Sequence, residues 1–245
     1  MGKRGNIKLF QPRPQKVKVP VQELDSIILG CVVFNEEDRL PGFLKDHERF
    51  ADRFIVIDQS STDKTGDIAA SHKNVDYHRV SRFEHLGEAS FNVLQQLIPQ
   101  TSFLLLLGVD ERISAEHYTE LRKRATMGRQ KYGLKAFWLH RKNQVDGRDM
   151  NHLFKTSYDP ECMDWQLRLG YGFCIRYQNV PHTHPEPMQP WAYVDPDVYL
   201  THQKTLTEEL DSIRKRAGSL NAAAGRDLAY LEGLKKEFGE EAVQL

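Results

Sequence analysis

Four short strand patterns, three of them apolar runs, each followed by a polar turn and a helical pattern, set the narrowest limit on how this chain can fold. Residues 26–34 (SIILGCVVF) and 102–109 (SFLLLLGV) are apolar without a break, as strands buried on both faces are. Residues 53–57 (RFIVI) and 75–80 supply two shorter strands. Helices are expected over 36–50, from the cap candidates Ser60, Ser61, Thr62 and Asp63 through residue 72, over 84–97 and over 114–127, with a further strand at 134–140. Strands that alternate with helices imply an α/β fold: a doubly wound, mostly parallel sheet flanked by helices.

The fourth run ends in two adjacent carboxylates, Asp110 and Glu111. Open α/β sheets hold ligands at the carboxyl ends of their strands. Hard cations such as Mg²⁺ and Mn²⁺ take one or two carboxylates plus substrate phosphates. The pair therefore reads as a metal–diphosphate site, or else as a solvated acidic turn. Residues 141–196, rich in aromatics, His and Pro, carry no periodic pattern and are expected to be irregular, forming walls of a site or plain loops. Thr205-Leu206-Thr207-Glu208 is a capping box that opens a helical extension, broken near Gly218 and Gly225 and resumed over 226–238.

Global charge names no partner, because 34 Lys and Arg balance 34 Asp and Glu. Locally, Lys3, Arg4, Lys8, Arg13, Lys16 and Lys18 all precede the first acidic residue, Glu23. With Pro12, Pro14 and Pro20 among them, residues 1–24 read as an extended basic arm, either a solvated tail or a contact for a polyanionic acceptor. The division expected is this arm, a catalytic domain over 25–205 and the helical extension over 206–245. Three scattered cysteines, Cys31, Cys162 and Cys174, suggest reduced thiols. No apolar run approaches the roughly 20 residues of a spanning helix. The expected location is cytoplasmic, with peripheral contact at a membrane as an alternative.

Four motifs now stand together: Phe34-Asn35-Glu36-Glu37, Asp58-Gln59-Ser60-Ser61-Thr62-Asp63-Lys64-Thr65, Gly87 through Asn92, and Val109-Asp110-Glu111. Their series over residues 26–205 resembles the family-2 glycosyltransferases of the GT-A (Rossmann-like) fold, with patterns N-E, V-D-D-G-S-T-D-x-T, G-x-x-x-x-x-N and D-x-D. Within that family it is most similar to the lipopolysaccharide-core β-glucosyltransferase-like branch. The resemblance implies a nucleotide-sugar donor, in the first place a UDP-sugar, lying over Phe34, Asn35, Glu36, Asp58, Ser60, Asn92 and Asp110, with Asp58 reading the base. It implies a divalent metal, Mn²⁺ or Mg²⁺, at Asp110 and Glu111, with His184 or His202 completing the shell. Glu111 follows Asp110 directly and so departs from the D-x-D spacing.

The resemblance further implies an inverting transfer, in which one base deprotonates the acceptor hydroxyl. Asp164, just before Leu167-Arg168-Leu169, matches that base, and Glu161 is the reserve. Arg168 would meet a phosphate or a structural acid, and Trp165 would stack on a sugar or fill the core. The expected partners are a nucleotide-sugar donor and a glycan or lipid-linked acceptor such as a lipopolysaccharide core. Transfer to modified nucleic-acid bases, and a non-catalytic nucleotide-sugar-binding module, are the alternatives. A sugar nucleotidyltransferase is disfavoured, because strand one ends without a Gly-rich phosphate loop.

Overall fold

All four amino-terminal runs form strands of one sheet in a computed structural model of the protein, which describes residues 24–51, 53–82, 90–154, 164–177, 186–217 and 224–243. They are β1 (Ile27–Val33), β2 (Phe54–Asp58), β3 (Val75–Arg79) and β4 (Phe103–Leu106). Helix α1 (Leu40–His47) links β1 to β2, α2 (Thr65–Ser71) links β2 to β3, and α3 (Ser90–Leu97) precedes β4. β1 pairs in parallel with both β2 and β4, and β2 with β3. The order β3-β2-β1-β4 reverses direction at β1, which opens a crevice beyond the carboxyl ends of β1 and β4.

Both faces of β1, β2 and β4 are buried, which is why their runs read as unbroken, whereas the edge strand β3 is half-buried. Leu29, Val56 and Leu105 pack on one face with Phe43 and Leu44 of α1. Ile28, Ile55 and Leu104 pack on the other with Leu94 of α3 and with Ile98. Gly30 marks the closest approach on that second side. A Cβ there would lie 2.8 Å from Leu104 Cδ1 and 3.3 Å from Leu94.

β5 (Glu111–Arg112) and α4 (Ala115–Tyr132) follow. α4 starts where the Ser114 hydroxyl accepts from the His117 N–H, and it stops at Gly133, which is left-handed at φ 68°. It therefore runs past the expected end at 127.

Much of the described part of the stretch expected to be irregular is strand. β6 (Ala136–Val145), β7 (Arg148–Asp149), a 3₁₀ turn over Asn151–Phe154, β8 (Asp164–Tyr171), β9 (Ile175–Arg176), β10 (Glu186–Pro187), β11 (Trp191–Tyr193) and β12 (Tyr199–Lys204) succeed one another. β8 lies antiparallel between β4 and β6. β12 is parallel to β6 and antiparallel to β5. The pattern was hidden because one face of β6 and β8 is polar. In addition, Phe137 pairs with Leu169 and Trp138 with Leu167, so Arg168 is the extra residue of a bulge that breaks the two-residue period.

The whole is a mixed α/β fold with a mostly parallel central sheet flanked by helices. The capping box forms as expected: the Thr205 N–H donates to Glu208 Oε2 at 2.7 Å, and the Glu208 N–H donates to Thr205 Oγ1 at 3.2 Å. It opens α5 (Leu206–Ala217), and α6 (Ala224–Phe238) follows. Leu210, Ile213, Tyr230 and Leu234 of these helices build a third core over Val145 and Met150. Among the described residues, no helix is long and apolar enough to cross a membrane. The arm up to residue 23, the Gly87 motif as far as Ala89, Glu161, Cys162 and His184 lie outside the described residues.

Candidate active site

The turns after β1 and β2 are braced against each other by side chains rather than by strand pairing. Ser61 Oγ accepts from the Asn35 N–H (2.9 Å), Thr65 Oγ1 from the Glu36 N–H (2.7 Å) and Asp63 Oδ2 from the Glu37 N–H (3.2 Å). In return, Asn35 Oδ1 accepts from the Thr62 N–H and Glu37 Oε2 from the Lys64 N–H. Asn35 and Ser60 adopt left-handed backbones, φ 53° and 61°, to reach these positions. The residues expected to cap α2 are thus the brace, which is why that helix starts only at Thr65.

Asp58 lies fully buried beneath this brace. Its Oδ1 accepts from the Ser61 N–H and its Oδ2 from the Tyr77 hydroxyl, each at 2.8 Å. Asp58→Ala leaves both donors without their acceptor, and each such loss costs about 1–3 kcal/mol where the donor is buried. Urea unfolding is expected to show a loss of about 2 kcal/mol, with Asp58→Asn milder because one acceptor survives.

Phe34 lies half-buried at the crevice mouth, with the Arg82 guanidinium 3.5 Å above its ring. The Ser60 hydroxyl donates to Val80 O at 2.8 Å. Asn92 is spent elsewhere, since its amide makes both hydrogen bonds to the backbone of Tyr177.

Asp110, the turn residue before β5, faces His202 of β12, with Nε2 3.1 Å from Oδ2. The side chain of Asp110 is 23% exposed. Burial pushes its carboxyl up, but the His202 hydrogen bond and charge, with Lys204, outweigh this and hold it below the usual range. From His202 a polar chain runs inward. Its Nδ1 lies 2.9 Å from Asn143 Oδ1, and Asn143 Nδ2 donates to Asp164 Oδ2 at 2.9 Å. Asp164 also accepts from Arg141 Nε (2.8 Å) and Gln166 Nε2 (2.6 Å). Burial raises its carboxyl, yet Arg141, Asn143 and Gln166 prevail and lower it overall.

Glu111 turns inward from Asp110 and is 1% exposed. Oε1 accepts from Arg168 Nη2 at 2.7 Å and Arg141 Nη1 at 3.1 Å, and Oε2 from the Gly108 N–H at 2.8 Å. Burial opposes the charge, but Arg168 and Arg141 keep the carboxyl below its ordinary value. The bulge in β8 is what aims Arg168 at this carboxylate. Trp165 points to the other face of the sheet from Asp164 and joins Tyr193 (4.7 Å between rings) and His140 (5.9 Å).

A cleft of roughly 260 Å³ adjoins Asp110, with Arg39, Arg112, Lys204, Gln203 and Glu208 on its walls. Arg39 pairs with Glu208 and Lys204 with Glu209, tying the cleft to α5. Glu36 is the carboxylate at the mouth whose pKa is raised: burial raises it, Arg39 opposes, and Asp110 and Asp63 add to the rise. Asn143, Arg141, Arg39 and Lys204 were not singled out from sequence. Only Lys204 had a signal, its place between the candidate His202 and the capping box at Thr205.

These shifts set an acid limit. His47 in α1 is fully buried, with Nδ1 2.7 Å from Phe43 O and Nε2 accepting from the Ile113 N–H. Burial is the largest cause that pulls its pKa from 6.5 down to about 4. A folded pKa below the unfolded one gives stability that is present above the unfolded value and lost as pH falls. The loss is expected to begin near pH 6.5 through His47, then to deepen below 4.5 through Glu111 and below 3.8 through Asp110 and Asp164. Glu36 acts with the opposite sign. Urea midpoints recorded against pH test this, and His47→Gln should flatten the upper part of the curve.

The sequence matches no protein-family model and no curated protein at significance. Solved structures similar to it include a mannosyltransferase from Pyrobaculum calidifontis in complex with GDP-Man and Mn²⁺ (17% identity, 51% of this chain and 38% of that one, TM-score 0.39). Another is the 4-diphosphocytidyl-2C-methyl-D-erythritol synthase of Anaerococcus prevotii (15% identity, 61% and 70%, TM-score 0.40). A third is the galactosyltransferase LgtC in complex with donor and acceptor sugar analogues (14% identity, 38% and 41%, TM-score 0.30). The matched part spans about two fifths of each of the two glycosyltransferases.

Proposed function

We propose that this chain is a metal-dependent glycosyltransferase of the GT-A, family-2 type, using a nucleotide-diphosphate sugar, in the first place a UDP-sugar. The observation that carries the reading is the Asp110–His202 pair, placed at the switch point of the sheet beside a cleft walled by Arg39, Arg112 and Lys204. The carboxylate suits Mn²⁺ or Mg²⁺, and the imidazole nitrogen favours the softer Mn²⁺ of the two. Among the described residues, no three His, Cys, Asp or Glu side chains form a metal cage. Two protein ligands fit an ion whose other positions go to the diphosphate and water. When bound, such an ion neutralises charge on the departing diphosphate.

Asp110 and His202 would hold that ion. Glu111, closed in by two arginines, would instead stiffen the turn that presents Asp110. Phe34, Asn35 and Glu36 would line the nucleotide, over a floor that Asp58 and Ser60 keep in shape. Asp164 would take the proton of an acceptor hydroxyl and so lead to inversion, with a glycan such as a lipopolysaccharide core as acceptor. Glu161, His184 and the arm contact with a polyanionic acceptor belong to the same reading as roles for tests.

Release of UDP from UDP-sugars with Mn²⁺, abolished by excess EDTA, is the decisive assay. Unchanged turnover in EDTA would remove the metal from the reading. Asp164→Asn cannot accept the proton, and kcat should fall by about 10²–10⁴-fold with donor affinity little changed. A normal kcat would release Asp164 from that role, and a collapse in Glu161→Gln would transfer it.

A further inference from the structure

We infer that Arg39 is the phosphate-binding cation of the cleft and that Glu208 is its resident counter-ion, which an incoming diphosphate replaces. The inference rests on the nucleotide reading above and adds to it a pair of residues that sets affinity for charged ligands.

Arg39, Arg112 and Lys204 wall the cleft beside Asp110, and each is already paired within the chain. They differ in how readily they can change partner. Arg112 is built into the frame. Its Nε donates to Asp46 Oδ2 at 2.7 Å, and its Nη1 donates to the carbonyls of Val109 (2.6 Å) and Glu111 (3.0 Å), on either side of Asp110. Lys204 meets Glu209 at 2.8 Å, in a pair whose side chains are only 16% and 9% exposed. Parting a buried pair leaves an uncompensated charge and is strongly unfavourable. Arg39 is the exception. Its Nη2 donates to Glu208 Oε1, and these two side chains are 33% and 36% exposed. An ion pair so open to water contributes little. A diphosphate offers the guanidinium two-pronged hydrogen bonds and more than one negative charge, so the exchange favours the ligand.

Glu208 stays at the cleft whether or not Arg39 holds it. Its Oε2 accepts from the Thr205 N–H at 2.7 Å, and its own N–H donates back to Thr205 Oγ1 at 3.2 Å. The capping box therefore fixes the carboxylate on the wall as the first residues of α5 are laid down. On the other side Glu36 Oε2 lies 3.6 Å from Arg39 Nη1, and keeps a hold on the guanidinium while Glu208 is replaced. A ligand with one negative charge only replaces what Glu208 already supplies. A diphosphate brings more, so the pair favours polyanions over singly charged competitors.

The test is calorimetric titration of the full chain with UDP in the presence of Mn²⁺. Glu208→Gln removes the charge but completes the same capping box, so the unfolding midpoint should hold. Its UDP Kd should be about 2–5-fold tighter, the equivalent of an exposed ion pair that no longer has to be parted. Arg39→Gln should weaken UDP binding about tenfold or more, through the loss of charged hydrogen bonds. In the Arg39→Gln background, Glu208→Gln should change Kd less than about twofold, because no arginine is left to release. An unchanged or weaker Kd in Glu208→Gln overturns the proposal. So does an equal gain with and without Arg39, which would mean that Glu208 repels the ligand directly. Absence of UDP binding in the unsubstituted protein would overturn the nucleotide reading instead, and inorganic pyrophosphate titrated into the same four proteins then decides the exchange between Arg39 and Glu208.

Discussion

Glu111→Leu is expected to lower the stability of the fold by about 3–5 kcal/mol, the usual cost of removing one member of a buried ion group. The substitution leaves Arg168 without its carboxylate partner and takes one of two from Arg141, which keeps Asp164. Arg168 and Arg141 both donate to Glu111 Oε1, and the side chain of Arg168 is only 14% exposed. It also removes the acceptor of the Gly108 N–H, which holds the turn between β4 and β5. Chemical denaturation is the measurement. Asp46→Ala supplies the control, because Asp46 pairs with Arg112 at the surface and should cost less than about 1 kcal/mol. A Glu111→Leu protein as stable as that control would mean that the arginines find other partners or water.

Asp110→Asn should do the reverse, sparing the fold and removing the activity. The Asp110 carboxylate is partly exposed and, among the described residues, its side chain bonds to His202, so the unfolding midpoint should fall much less than in Glu111→Leu. Removing a single group that stabilises developing charge typically costs about 10²–10³-fold in kcat. Donor turnover should fall by at least that factor, and Mn²⁺ affinity should fall with it. Persistence of Mn²⁺-stimulated turnover in Asp110→Asn would place the metal elsewhere. Together the two variants separate neighbours in sequence into a ligand and a buttress.

That separation shows how far the sequence could be read. β1, β2 and β4 were legible because Ile28, Leu29, Ile55, Val56, Leu104 and Leu105 are needed on both faces of the sheet. α4 was legible from the Ser114 cap and the apolar Tyr118 and Leu121. β8 and the second half of β6 were not, because Asp164, Gln166, Arg141 and Asn143 line a polar network where an alternating pattern would put apolar side chains. Asp110 and His202 could be picked out as candidates, but nothing in their spacing says that β12 brings them within 3.1 Å. Asp58 and Ser60 drew attention through a motif. Their contacts show the Asp58 carboxylate holding the Ser61 N–H and the Ser60 hydroxyl donating to the Val80 carbonyl, a need that comes from two tight turns meeting. The inward turn of Glu111 depends on the bulge at Arg168, and a bulge leaves no mark in the sequence pattern.

The position of β12 has a consequence for the nascent chain. This strand covers an edge of β6, carries His202 and leads directly into α5, yet it is the last strand of the sheet to leave the ribosome. Until it arrives, residues 140–145 of β6 present unpaired backbone groups on that side, in a stretch whose other partners are already made. A chain halted before residue 199 would therefore lack Gln203, Lys204 and Glu208 from its cleft and Leu200 from its first core, and would carry an open strand edge and half of its Asp110–His202 pair. Such a chain would be prone to pair with its own copies through that edge, so the element that completes the chemistry is also the one that ends the risk of aggregation during synthesis.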